Sequence, residues 1–504
     1  MRTTATDERG SEGIRIGLDV HQNKYLSARR REREIHAIVT VRVEGSGGGG
    51  SGDKLAEVLV VDCSSSMSSP QEKFRAAKDA AVAALHMLPD GTPFAVVRGT
   101  DTASTAHPEG YGHGGEAVPA APVAPDTADR IVPRMDAGQR DAAGHAVRAM
   151  DAVGGTSIGT WLDLSRRLLA ARPTPIGHVL LLTDGQNLHD SVLPLSGVLE
   201  ACQGRFVCDC WGIGDDWDAR ELMRVASALH GRADCVDEVA DLAAEYRALM
   251  GDLLSKTVPE IVLRVAPSPG ASVRFVKQVF PTELELTGTP SGAATEYLTR
   301  AWGDESRRYH VCLSADPEGA PQGEDLQLAA VSVLLPDGAA GVALPPARAC
   351  EVHWTDDPAL SGAPGPAVGH FADHKRLGEA AGAALDAFRR GDRATATERL
   401  GAAVAVAHRL RAERTLDRLR RLVEIDDAAR GRVRLRDGSH VVDFQRLITS
   451  TGHSTFGPGT STAEIEAALD ADTVATLPCP VCGCPTPVGA TYCNDSGHVI
   501  ARNA

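Results

Sequence analysis

The chain has 504 residues, with 52 Lys and Arg against 67 Asp and Glu and a formal net charge of −15, which argues against nucleic acid as its main partner because phosphate binding needs a basic face. Hydrophobic residues make up 43%, ample for several cores, and the length suits roughly three domains of about 150 residues each. No stretch approaches the roughly 20 apolar residues of a membrane span, and the opening MRTTATDERGSEG lacks the apolar core of a signal segment, so a cytoplasmic protein is expected.

In chain order, residues 15–46 come first as a strand segment, in which HAIVTVRVEG alternates like a strand. The SGGGGSG behind it is a flexible linker into the domain that begins at residue 54. There Leu55–Val61 is mostly apolar on successive rather than alternate residues, as a strand buried on both faces of a parallel sheet reads. It runs into a D-x-S-x-S, Asp62 to Ser66, which sets one carboxylate and two hydroxyls at the carboxyl edge of the sheet. Open α/β sheets bind their ligands at that edge. One anionic and several neutral oxygens suit a hard divalent cation such as Mg²⁺. The same residues also read as a Ser-rich turn capping a helix that starts near Pro70. Lys73 and Lys78, further on, read as a solvated helix face.

Residues 99–126, rich in Gly, Pro and Ala, read as an exposed loop, with His107 and His113 solvated rather than metal-bound. GGTSIGTWLDLSRRLL then sets Thr156 in a Gly-rich loop that opens an amphipathic helix. HVLLLTDGQN is a second buried strand, ending in Asp184-Gly185. D-x-S-x-S, a Thr in a second loop and an Asp in a third resemble the metal-ion-dependent adhesion site of von Willebrand factor A (vWA) domains. The segment WGIGDDWDARELMRVASALHG likewise resembles the last strand and helices of that fold.

The resemblance covers residues 54–255 and implies a doubly wound, mostly parallel, Rossmann-like sheet. It implies a site for Mg²⁺ (or Mn²⁺) made of Asp62, Ser64, Ser66, Thr156 and Asp184. The hydroxyls would ligate as neutral groups and the aspartates directly or through water. With few carboxylates bound, the ion stays open to a Glu or Asp from a partner protein. The alternative is a Mg-dependent phosphoryl-transfer or hydrolytic enzyme with an aspartyl nucleophile. Such enzymes commonly need a second carboxylate two residues on, where Ser64 stands, and neither G-x-x-x-x-G-K-[ST] nor G-x-S-x-G occurs. Non-enzymatic binding is therefore expected.

Residues 259–346 are short alternating runs separated by Pro, Gly and Asp, the pattern of an antiparallel β-sandwich. The A domain would be inserted between the N-terminal strand segment and the rest of that sandwich. Residues 370–430 carry apolar positions at helical spacing and read as a small helical bundle packed on the sandwich. The Arg-rich face of its third helix reads as solvated, with intrahelical Glu–Arg pairs.

Residues 446–476 form a Thr/Ser/Gly-rich linker, expected to be disordered up to about Thr462. Thr449, Thr451, Thr455, Thr460 and Thr462 offer hydroxyls to a kinase, and an Arg-lined phosphothreonine-reading domain would recognise the product. A mere linker is the commoner meaning of such a stretch.

Residues 477–500 hold a second chemical site. Of 11 cysteines, four crowd into the end of the chain, which fits buried thiols plus one metal site in a reducing compartment better than a disulfide framework. Cys479-x₂-Cys482 with Cys493 and His498 resembles a zinc ribbon, closing a tetrahedral Zn²⁺ site around a segment too small for its own core. C-x₄-H replaces the usual second C-x₂-C, and Cys484 is a substitute ligand. The abundance of Ala, Gly and Arg is that of a bacterial, actinobacterial-like protein. The whole reads as a metal-dependent interaction scaffold with a place in phospho-signalling.

Overall fold

The computed structural model describes residues 14–28, 33–45, 54–69, 71–184, 186–214, 217–235, 242–336, 342–361, 366–452, 476–478 and 485–487. Its centre is a six-stranded sheet in the spatial order Ala103–His107, Phe94–Gly99, Leu55–Asp62, Ile176–Thr183, Val207–Gly212, Ala233–Cys235. Only the outer Ala103–His107 strand is antiparallel. That strand lies within the stretch expected to be loop. His107 packs on Phe94 and bonds Gln139 (2.7 Å) instead of standing in solvent, while His113 is exposed.

All eight residues of Leu55–Asp62 and of Ile176–Thr183 are buried, because helices cover both faces of the sheet. Ala56, Val58 and Val60 point into one core with the helices Ile158–Ala171 and Ala219–Ala228. Leu55, Leu59 and Val61 point into the other, with Gln71–Met87 and Leu242–Ser255. Double coverage is the physical reason the strands read as apolar without alternation.

Two further sheets are built from the flanking sequence. One has the order Arg15–Gln22, Arg33–Glu44, Glu305–Ala315, Ala271–Phe280, Leu284–Glu285. The other runs Gly288–Ser291, Ala294–Trp302, Val258–Pro267, Asp325–Leu334, Arg348–Thr355, Tyr25–Ser27. Every pairing is antiparallel except that of Tyr25–Ser27 with Arg348–Thr355. Ile35, Val39 and Val311 of the first sheet share one apolar cluster with Ile261, Val331 and Val352 of the second. The N-terminal segment thus supplies three strands to two sheets, and the last long strand reaches Thr355, beyond the expected end at residue 346.

The C-terminal helices Pro366–Arg389, Arg393–Arg409 and Glu413–Leu422 lead into a hairpin (Val423–Asp427 with Arg432–Leu435) and a fourth helix, Val441–Ser450. They differ from expectation in what they pack on. Leu377, Leu400, Val404, Phe444 and Leu447 belong to the same core as Leu222 and Val225 of the A domain. Gln445 clamps the junction, donating to Trp217 O (3.0 Å) and accepting from Ala219 N (3.1 Å). Phe371 packs on the five-stranded sheet, at Ile38 and Val279. On the Arg-rich third helix, Arg418 bonds Arg446 O (2.6 Å) while Arg420 pairs with Asp417 within the helix.

Residues 446–450 are helix, so the linker does not begin at residue 446 as expected. Thr449 and Thr451 are buried and bonded to backbone carbonyls, Thr449 to Arg446 O and Thr451 to Ile448 O. They are not kinase sites in this fold. Thr455, Thr460 and Thr462 lie outside the described residues. Thr476–Pro478 pairs antiparallel with Pro485–Pro487, while Cys479, Cys482, Cys484, Cys493 and His498 fall outside what is described.

Candidate metal site

Leu55–Asp62 and Ile176–Thr183 are neighbours on which the chain order of the sheet reverses. Loops leaving the carboxyl ends of such strands diverge to opposite faces and leave a crevice. Asp62 ends one strand and Asp184 follows the other, and both are fully buried. Asp62 Oδ1 accepts the Ser64 N–H at 2.8 Å, and its Oδ2 accepts the Thr183 hydroxyl at 2.5 Å. Burial raises the Asp62 carboxyl to about 6 against the pull of these hydrogen bonds, and the nearby charge of Asp184 adds to the rise.

From Ser64 a chain of oxygens continues across the crevice. Ser64 Oγ and Ser66 Oγ are 2.9 Å apart, and the Ser66 hydroxyl donates to Asp184 Oδ1 at 2.8 Å. The serines lie at the start of a 3₁₀ turn, Ser65–Ser68, in which the Ser64 side chain makes no cap bond. Their hydroxyls face each other and Asp184. Four of the five expected ligands are therefore joined in one hydrogen-bonded run.

The fifth, Thr156, is buried and held through its backbone. Its N–H donates to His189 Nδ1 (3.2 Å) and its carbonyl accepts the His189 N–H (3.0 Å). A Cβ at Gly155 would fall 2.0 Å from the His189 ring, so this close approach admits only glycine. Ser65 N–H to Gly154 O (3.0 Å) ties the Thr156 loop to the D-x-S-x-S loop. Asn187 Oδ1 accepts the Ile158 N–H (2.8 Å) at the start of the following helix, linking it to the Asp184 loop.

Lys73 departs most from the sequence reading. It sits in the first turn of Gln71–Met87, is 4% exposed, and its ammonium pairs with Asp184 Oδ2. At Gly214, whose φ is +74°, an added Cβ would meet Lys73 Cδ at 2.6 Å, so glycine is demanded there by both backbone and lysine. Lys78 is bonded as well, to Arg148 O (3.0 Å) and Met150 O (3.2 Å). Neither lysine stands on a solvated face. Thr183 and His189 were also missed: a threonine preceding Asp184 is a local cue, whereas His189 and Lys73 reach the site only through the fold.

The donor set fits a hard divalent ion. It is all oxygen, with two buried carboxylates and the hydroxyls of Ser64, Ser66 and Thr156, and it already holds a cation in the Lys73 ammonium.

Residues 56–235 match the model of the von Willebrand factor type A domain. No curated protein matches the chain. Among solved structures, a von Willebrand factor type A protein from Catenulispora acidiphila is similar at 32% identity and a TM-score of 0.75, over 89% of this chain and 99% of that one. The ArnB paralog VWA2 from Sulfolobus acidocaldarius aligns at 12% identity and a TM-score of 0.47, over 87% and 98% of the two chains. With the site at the reversal point of its sheet and a likeness that runs over nearly its whole length, the chain belongs to the von Willebrand factor type A family.

Proposed function

We propose that the chain is a non-enzymatic, cytoplasmic scaffold whose A domain captures a protein partner through a divalent cation. Asp62, Ser64, Ser66, Thr156 and Asp184 would hold Mg²⁺ (or Mn²⁺). The observation that supports this best is the unbroken run of hydrogen bonds from Asp62 to Asp184, closed by a buried ammonium. A bound divalent ion supplies positive charge with a position open to an outside carboxylate. The chain's own residues prepare the site: Thr183 and the Ser64 N–H orient Asp62, and Ser66 orients Asp184.

The surroundings suit a protein ligand. Of the five large hydrophobic side chains exposed among the described residues, Val153, Leu188 and Val192 lie on the loops that carry Thr156 and follow Asp184. Apolar groups clustered beside a charged centre are the mark of an interaction surface. Immobilised protein should retain partners from its own lysate in Mg²⁺ and release them in EDTA, and Asp62→Ala should lose them while keeping its circular dichroism. Retention of the same partners in EDTA would refute the mechanism. Phosphoester turnover in Mg²⁺ that Asp62→Asn abolishes would support the enzyme reading instead.

The flanking sheets are read as one β-sandwich interrupted by the A domain, on the strength of their common core. The tail is read as a zinc ribbon, with Cys479, Cys482, Cys493 and His498 (or Cys484) as ligands. Native mass spectrometry should find zinc lost when Cys479 and Cys482 are both changed to Ser. An unchanged metal content would count against it. Any signalling role would fall to Thr455, Thr460 and Thr462, and phosphothreonine mapping of the native protein tests it.

A further inference from the structure

We propose that the outer face of the five-stranded sheet carries a separate site for a borderline transition ion of the Zn²⁺ class, built from His36, Cys312, Glu34 and His310. In the antiparallel pairing of Arg33–Glu44 with Glu305–Ala315, His36 stands directly opposite Cys312. Glu34 and His310 lie two residues from these partners along their own strands, and so project from the same face. Ile35, Ala37, Val311 and Leu313 between them point inward to the core.

The register therefore brings a carboxylate, an imidazole and a thiol together, with ligand atoms of Glu34, His36 and Cys312 all within 4.8 Å of one another. His36 Nδ1 lies 3.0 Å from His310 Nε2, which adds a second imidazole. Bonds of about 2.0–2.3 Å in a tetrahedron separate ligands by roughly 3.3–3.8 Å, so Glu34, His36 and Cys312 need close by no more than about 1.5 Å, while the two imidazole nitrogens, 3.0 Å apart, must part slightly.

Nitrogen, sulfur and oxygen ligands together select zinc-class ions over the hard ions suited to the all-oxygen A-domain site. Cys312 is buried, whereas Glu34 is exposed and opens the site to solvent. Phe275 walls one side, its ring edge-on to His310 at 5.1 Å. Burial keeps both imidazoles below their ordinary range and so neutral, ready to ligate. Two cations oppose binding: Arg274 lies 3.8 Å from Glu34, and Lys277 sits over Phe275. The Cys312 thiol would lose its proton to solvent as the metal–sulfur bond forms.

Because the tail is a second thiol-rich segment, the test uses the full chain with Cys479, Cys482, Cys484 and Cys493 all changed to Ser. Titrated with Co²⁺ in excess Mg²⁺, which keeps the A-domain site filled, it should show thiolate-to-cobalt charge-transfer absorption that saturates at one equivalent. Cys312→Ala should remove that absorption, and His36→Gln should weaken Co²⁺ binding by more than about tenfold. Circular dichroism confirms that each variant is folded, and His36→Gln decides if Cys312→Ala is not. No charge-transfer band in the tail variant, or a band that survives Cys312→Ala, would overturn the proposal, as would unchanged affinity in folded His36→Gln.

Discussion

His178→Leu is expected to destabilise the A domain by about 3–5 kcal/mol, the range for breaking a fully buried ion pair. His178 lies in the middle of the parallel sheet, wholly buried, with Nδ1 2.8 Å from Glu57 Oε2 and Nε2 3.3 Å from Asp209 Oδ2. Burial disfavours its charged form, but the two carboxylates outweigh burial and raise its pKa to about 10. Leucine would leave both carboxylates in the interior facing an alkyl chain. Urea denaturation at neutral pH reads the loss directly.

The same triad fixes a pH dependence. The folded chain keeps the His178 proton well above the ordinary histidine pKa of about 6.5, so the stabilisation is whole below that pH. It is lost as pH rises toward 10, at up to about 1.4 kcal/mol per pH unit for one proton. Subtracting the His178→Leu profile from that of the wild type should isolate this slope. Parallel profiles would mean that His178 is neutral in the fold.

Lys73→Met should make the A domain depend on divalent ions. The ammonium at Asp184 is buried and is the cation the site holds. Without it, the metal-free protein keeps two buried carboxylates with the counter-charge removed, at a cost again of about 3–5 kcal/mol. Mg²⁺ no longer has to displace an ammonium, so its affinity should rise by at least about tenfold, corresponding to about 1.4 kcal/mol. Mg²⁺ at 100 times its dissociation constant would restore about 2.7 kcal/mol by mass action. Denaturation in EDTA and in Mg²⁺, with calorimetric titration, measures both. Equal stability in the two media, or weaker Mg²⁺ binding than wild type, would show that Lys73 does not occupy the ion's place.

The two central A-domain strands and the polar residues at their ends are legible in the sequence, whereas the Ala103–His107 strand and the parts played by Thr183, His189 and Lys73 are not. Strands buried on both faces must be apolar at successive positions, and polar residues at their carboxyl ends are then conspicuous: Asp62, Ser64, Ser66 and Asp184 each follow such a run. These signals are local, carried by spacing along one segment. Lys73 at Asp184 and His178 between Glu57 and Asp209 are different in kind. Each joins residues about 30 to 120 positions apart, and the lysine resembles any solvated helix residue until the fold puts a carboxylate against it. The docking of the C-terminal helices was decided in the same way. Their apolar faces are legible from periodicity, but any apolar surface satisfies them equally, and directional bonds such as Gln445 to Trp217 and Ala219, and Arg220 to Asp386, fix which one they cover. Hydrophobic burial is non-directional, so pattern tells a helix that it must be covered. Directional hydrogen bonds and charge pairs between distant segments choose the partner, and those exist only once the tertiary structure has formed.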